Sequence, residues 1–243
     1  MILMVACFAA HLGLTKWDML DDGDDCLLIC EKEDLELILG KVHAFFLEFG
    51  HEIKVEHVAH NFEQIIWCQS SPINYEGTGW KFVRNPWKVM MNALGGSKWA
   101  TMPLWLRRSM INTIGVAELV LNLGVPVLQN FALALMRNSG TQDILDNKYV
   151  DVLSRRVQLE VRALNDRCIK RYDPREITTE ARLSFMKAFD VTLAEQVWME
   201  KWLDSWEFAI SGDVKLDVDV VVEGWYRPHG HFTADIYHYG DAS

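Results

Sequence analysis

The residues that most constrain this chain are Asp21-Asp22-Gly23-Asp24-Asp25, enclosed by the runs Trp17-Asp18-Met19-Leu20 and Cys26-Leu27-Leu28-Ile29-Cys30. An Asp-Gly step between two strand-like runs predicts a hairpin with its carboxylates crowded at the tip. Like charges at that density repel, so the arrangement calls for a cation or for carboxyls of raised pKa. Hard oxygen ligands suit a divalent ion such as Mg²⁺. A calcium-binding loop does not fit, because placing Gly23 at that loop's glycine puts Leu20 and Ile29 where carboxylates belong. A solvated acidic turn is the alternative that these residues leave open.

The chain of 243 residues is half apolar, which suits a globular protein with a sizeable core. Its net charge of -10 argues at first against contact with nucleic acid. The distribution softens that objection. Residues 1–50 carry ten carboxylates against three cations, residues 141–243 nineteen against thirteen, and residues 51–140 eight cations against five carboxylates. The middle third is therefore mildly basic. Five cysteines (Cys7, Cys26, Cys30, Cys68, Cys168) show no paired spacing, which speaks against zinc and a disulfide framework and suits a reducing compartment.

Met1 to Leu14 is almost continuously apolar, too short to span a bilayer and without the basic start of a signal peptide, so it reads as a buried helix. Beyond the tip, Leu35, Ile38, Val42, Phe45, Phe46 and Phe49 recur at helical spacing and predict a helix over Asp34–Phe49. Alternation predicts strands over His51–Glu56 and Gly79–Arg84, and Phe62–Gln69 also reads as a strand, stopped at Ser70-Ser71-Pro72. A turn over Asn74–Gly77 precedes the last strand. Helices are expected over Leu104–Leu123, Val127–Met136, Val150–Leu164, Thr179–Phe189 and Leu193–Ile210, then a strand over Val214–Val222 and a loosely ordered tail containing His229, His231 and His238. A strand-rich first third before a helical remainder is an α+β pattern.

Asp22-Gly23-Asp24-Asp25-Cys26 closing in Ile29-Cys30-Glu31, Phe46-Leu47-Glu48-Phe49-Gly50 before Lys54-Val55-Glu56, Glu63-Gln64-Ile65 with Cys68-Gln69-Ser70, and Val83-Arg84-Asn85 follow one another in order. Gly124-Val125-Pro126-Val127-Leu128-Gln129, Arg137-Asn138, Glu180-Ala181-Arg182-Leu183-Ser184-Phe185, Ala188-Phe189 and Gln196 continue the series. Together these blocks resemble the palm and thumb of tombusvirus-like RNA-dependent RNA polymerases, over about residues 1 to 210. Ile53 stands where the family commonly has Met, Asp190 where Gly is usual, and Trp67 where Phe is usual.

The resemblance implies a partial right-hand polymerase. Residues 1–85 would be the C-terminal half of the palm, 86–212 a helical thumb and 213–243 a tail. It implies RNA-templated RNA synthesis with Mg²⁺ or Mn²⁺, nucleoside triphosphates, an RNA template and a nascent strand. A viral replication cofactor and membrane-associated replication sites in the host cytoplasm follow from it as well. The family's upstream motifs, a strand with the first metal-binding aspartate and a Ser-Gly loop leading to a ribose-selecting Asn, have no counterpart before residue 17. The chain is accordingly expected to be the C-terminal piece of a larger polymerase, inactive alone. A non-catalytic RNA- or protein-binding fragment that keeps the fold is the alternative.

Within that frame Asp24 is expected to be the main metal ligand and Asp25 a secondary one, since adjacent strand residues face opposite sides. Lys54 fits a proton donor to the pyrophosphate leaving group, or a cation stabilising phosphate charge; outside the family frame it is simply a solvated lysine. Cys68, Gln69 and Ser70 fit a grip on the nascent strand, or else a core cysteine and a turn. The Arg84 fork suits the triphosphate of a priming nucleotide, or a structural salt bridge. Trp80, Trp87, Trp99 and Trp105 read as packing residues before base-stacking ones, and Arg107-Arg108 as a solvated helix face before a contact to template phosphates.

Overall fold

A computed structural model describes residues 1–23, 25–75, 79–93, 102–143, 173–208 and 210. They form two compact units. One is built from Met1–Pro86, Asn122–Asn130 and Asp173–Trp202, the other from residues within 87–121, 131–172 and 203–243. Helices and two small antiparallel sheets together make a mixed α and β fold, as the sequence pattern requires.

The first unit opens with helix α1, Ile2–Leu12, closed by Gly13 in the left-handed region, where a residue without Cβ is strain-free. Strands β1 (Trp17–Asp22) and β2 (Asp25–Cys30) then pair antiparallel, with Trp17 opposite Cys30 and Asp22 opposite Asp25. Helix α2 follows over Leu35–Glu48, after a 3-10 turn at Lys32–Asp34. Val5, Phe8, Ile38, Val42 and Phe46 form the buried centre between α1 and α2. Trp17, Met19, Leu28 and Cys30 pack against it, so one face of the hairpin is committed to this core. The period of two then sends Asp22 and Asp25, a directly opposed pair, to the other face.

The expected strand over His51–Glu56 is irregular backbone. Its alternation is real, since Ile53 packs on the α1–α2 core, but a strand also needs a partner, and among the described residues none pairs with it. Phe62–Gln69 is not a strand either: Phe62–Gln64 is a 3-10 turn, with Glu63 buried. The strand begins where a stop was expected. β3 runs Ser70–Asn74 through Pro72 and pairs antiparallel with β4, Trp80–Arg84. A two-stranded sheet leaves one side of each strand without ladder bonds, and a proline's missing N–H costs nothing there. Of the expected Asn74–Gly77 turn, residues 76 and 77 lie outside the described residues.

Helix α3 spans Pro86–Ala93, α4 Leu104–Leu121, α5 Leu128–Ser139, α6 Thr179–Phe189 and α7 Leu193–Ser205. Within the first unit, α6 packs on β3 and the Phe62–Gln64 turn. Buried Glu63 accepts from Lys187 Nζ at 3.1 Å and from Ser184 Oγ at 3.5 Å, and the Ser184 hydroxyl in turn accepts from Asn74 N at 3.0 Å. Gln129 closes the segment before α5 by accepting from Gly124 N and Arg175 N while donating to Arg175 O. Asp190 caps α6 at φ 54°, which explains why a glycine suits this position; Asp is among the few side chains that tolerate the left-handed region.

In the second unit α4 is buried on nearly every side from Leu106 to Leu119. Gly115 lets α5 approach it: a Cβ there would lie 2.7 Å from Met136 Cγ and 3.0 Å from Ala132 O. Arg107 is not on a solvated face. It is buried, and its Nε donates to Met102 O at 2.8 Å, whereas Arg108 is exposed. Helix α7 stops at Ser205, short of Ile210, because the chain turns there to satisfy polar groups of α5. Arg137 donates to Leu203 O and Trp206 O, and Asn138 exchanges bonds with Trp206 O and Phe208 N. The predicted helix at Val150–Leu164, the strand at Val214–Val222, Trp99 and the three tail histidines lie outside the described residues.

Candidate nucleotidyl-transfer site

The β1–β2 ladder brings Asp22 opposite Asp25, leaving Gly23 and Asp24 as the two connecting residues. Gly23 has φ 73°, the conformation that a two-residue hairpin turn demands. Asp24 itself lies outside the described residues. Asp22 and Asp25 are both exposed. Asp21 turns to the core face instead, and its Oδ1 is buried with no hydrogen-bond partner. Burial first, and then the Asp21 charge, push the thiol of Cys26 upward.

A second tight turn meets this tip. Trp67 and Ser70 exchange two backbone bonds of 2.8 Å, enclosing Cys68 at φ 47° and Gln69 at φ 60°. Neither residue is a glycine, so each costs on the order of 1–2 kcal/mol in the left-handed region. The surroundings hold the strain in place, since Gln69 O also accepts from Asn85 N at 3.1 Å. The conformation carries the Cys68 thiol to the acidic hairpin, where Sγ donates to Asp22 Oδ2 at 3.6 Å. Partial loss of hydration, the bond to Asp22 and the charges of Asp25 and Asp22 push that thiol up to about 11. Ser70 is buried at the start of β3, and its hydroxyl donates to Cys68 O. Arg84 is its cross-strand partner.

The fold thus gathers Asp25, Cys68, Gln69, Ser70 and Arg84 along one line running from the hairpin tip into the β3–β4 sheet. Lys54 sits elsewhere in character: it lies on irregular backbone, its side chain 82% exposed, paired with Glu56 at 3.5 Å. Asp22 is the residue that sequence reasoning passed over. Its signal was available, because a two-residue Gly-Asp turn forces Asp22 and Asp25 into one cross-strand pair. Among the described residues no three His, Cys, Asp or Glu side chains gather closely enough to hold a metal ion, and the four described cysteines are free. The two exposed carboxylates of Asp22 and Asp25 are hard oxygen donors of the type that a divalent ion takes, as part of a larger donor set.

The thiol makes a measurable prediction. Alkylation of Cys68 by iodoacetamide, followed by peptide mass spectrometry, should rise with pH through a midpoint near 11. Because the folded-state value is raised, the thiol's contribution to stability is complete below pH 9 and is lost as pH climbs to about 11. Asp22→Asn should move the alkylation midpoint toward 9. An unchanged midpoint in that variant would show that the bond to Asp22 does not hold the proton.

Comparison with known proteins identifies the chain's family. The family described as viral RNA dependent RNA polymerase matches residues 1–211. The RNA-directed RNA polymerase of Cymbidium ringspot virus is 30% identical over 89% of this chain and 25% of its own length. Those of Tomato bushy stunt virus (strain Cherry) and Cucumber necrosis virus are 29% and 30% identical over the same shares. The chain therefore spans about a quarter of the length of these relatives, and no solved structure matches it. On the match over residues 1–211 and the identity to these relatives, the chain belongs to the viral RNA-dependent RNA polymerase family.

Proposed function

We propose that this chain contributes the Gly-Asp-Asp hairpin of the palm, with the thumb after it, to RNA-templated RNA synthesis by two-metal nucleotidyl transfer. The observation that carries the proposal is the pairing of Asp22 with Asp25 across the tip, beside the Cys68–Gln69 turn. Asp24 and Asp25 would hold Mg²⁺ or Mn²⁺, which supplies activation of the attacking 3′-oxygen and charge neutralisation on the triphosphate. Asp22 would set the turn's orientation through the Cys68 thiol.

Cys68, Gln69 and Ser70 would position the nascent strand through backbone and small polar groups. Arg84 would engage a nucleotide's phosphates. Lys54, exposed on irregular backbone beside Glu56, would reach a leaving group and donate its proton there. The remaining ligands would come from the rest of the polymerase, in keeping with the quarter of the relatives' length that this chain spans. Residues 1–85 would serve as the palm portion, 86–212 as the thumb and 213–243 as a tail. RNA template, nascent strand and nucleoside triphosphates are the proposed partners, with a viral replication cofactor, at membrane-associated sites in the host cytoplasm.

The chain alone gives a direct test. Titration with Mn²⁺, followed by the loss of its free electron-spin signal, should show weak binding that disappears in an Asp24→Asn, Asp25→Asn double variant. Equal binding by that variant would move the metal site away from the hairpin.

A further inference from the structure

Glu63 is an acid at a place where packing alone would take an apolar residue. It is 8% exposed in the turn Phe62–Gln64, and the chain runs on from there through Ile65, Ile66 and Trp67. A buried carboxylate is unfavourable unless charged or hydrogen-bonding groups meet it. Two such groups come from α6, which lies 121 to 124 residues further along the chain. Glu63 Oε1 accepts from Lys187 Nζ at 3.1 Å and from Ser184 Oγ at 3.5 Å. Lys187 is half-exposed and keeps much of its hydration, whereas Ser184 is buried. The Ser184 hydroxyl is used twice, because it also accepts from the N–H of Asn74 at 3.0 Å, and Asn74 is the last residue of β3.

One serine on α6 thus ties down both ends of the 63–74 segment. Between those ends lies the turn in which Cys68 and Gln69 adopt φ of 47° and 60° and the Cys68 thiol meets Asp22 at the hairpin tip. Left-handed residues that are not glycine persist only where their surroundings over-determine them. The bonds between Trp67 and Ser70 close the turn from inside, and Asn85 N holds Gln69 O from the neighbouring strand. Pinning the ends as well shortens the free span and removes relaxed alternatives from the turn. We propose that Glu63 and Ser184 are positioning residues for the acidic tip: α6 clamps both ends of the segment that carries Cys68 and thereby holds its turn against Asp22. A merely apolar contact at residue 63 would fill the same space without fixing the serine hydroxyl that reaches Asn74. What the tip does rests on the polymerase reading, but the clamp itself is measured without catalysis.

Hydrogen exchange of the Trp67 and Ser70 amides, followed by NMR on the intact chain, tests the clamp. Ser184→Ala and Glu63→Ala should each speed exchange at these two amides by about 10-fold or more, while the amides of α2 in the same unit keep their wild-type rates. Glu63→Gln retains an acceptor for Ser184 and Lys187 and should restore most of the protection. Circular dichroism and the urea midpoint show that the variants are folded; if Glu63→Ala is not, Ser184→Ala, which removes one hydroxyl, carries the test. Wild-type exchange at Trp67 and Ser70 in Ser184→Ala overturns the clamp. Equal acceleration in α2 also overturns it, since that marks a general loss of stability. In the completed polymerase, Ser184→Ala should lower kcat for primer extension by about 10-fold with little change in the KM for nucleoside triphosphate. An unaltered kcat overturns the positioning role. A wild-type polymerase that extends no primer strikes the polymerase reading instead, and the exchange rates then decide the clamp by themselves.

Discussion

Asp25→Asn, introduced into this chain joined to the upstream polymerase segment of its relatives, is expected to lower primer extension at least about 100-fold. The same loss is expected for Asp24→Asn. Each change keeps the side chain's size and removes the charge that a divalent ion needs as its counterpart. Folding should survive, because Asp25 is exposed and stands opposite another carboxylate across the turn. Relieving that like-charge pair should leave the urea midpoint unchanged or slightly raised. Asp22→Asn separates the roles further: it weakens the hold on Cys68, so a smaller loss, about 10-fold, is expected. Extension at the unaltered rate by Asp24→Asn and Asp25→Asn would remove the hairpin from the chemistry altogether.

Glu200→Ala should be the most damaging single change to stability, at about 3 kcal/mol in urea unfolding of the isolated chain. Glu200 receives both arms of the Arg182 guanidinium, at 3.0 and 2.8 Å, and its Oε1 also accepts from Val127 N at 3.1 Å. Val127 has φ 64°, a conformation that a β-branched residue adopts only when its neighbours impose it. Removing the carboxylate leaves a largely buried guanidinium and a buried N–H without their acceptor, and releases the strained Val127 turn. Glu200→Gln retains an acceptor for Val127 and should cost less than half as much. A loss under about 1 kcal/mol in Glu200→Ala would show that the pair adds little beyond a surface bridge.

These two results concern residues of different legibility. Asp24 and Asp25 stand out in the sequence because four carboxylates crowd around one glycine between two apolar runs. Glu200 has no such mark. It lies at an unremarkable helical position, and its two partners are 18 and 73 residues away. Gln196 is similar: it is wholly buried and donates to Arg182 O and Val191 O, bonds that hold α6 to α7. Both Arg182 and Gln196 belonged to blocks that resembled the polymerase family, and the packing now supplies a physical reason for those residue types.

The helices were the most readable elements, since their apolar spacing, glycine stops and turn residues act within a few positions of one another. Thr179–Phe189 emerged as expected, with Thr178 capping it through Ala181 N. Strands were less readable, because a strand exists only where a second strand meets it. His51–Glu56 has the alternation and no described partner; Ser70–Asn74 contains a proline and is nevertheless paired. Arg107 went astray for a related reason: charge alone predicts solvent, while a carbonyl within reach permits burial.

By itself the sequence determined the acidic hairpin and the amphipathic helix behind it, because these depend on local turn geometry and a period of two or 3.6. It also determined the lineage, through blocks whose order does not require coordinates. Only the tertiary structure decided that Cys68 and Gln69 adopt left-handed backbone, that the Cys68 thiol reaches Asp22, and that Trp80 and Phe82 stay exposed. Those outcomes depend on groups tens of residues apart, whose meeting is set by which surfaces bury one another and not by any local preference.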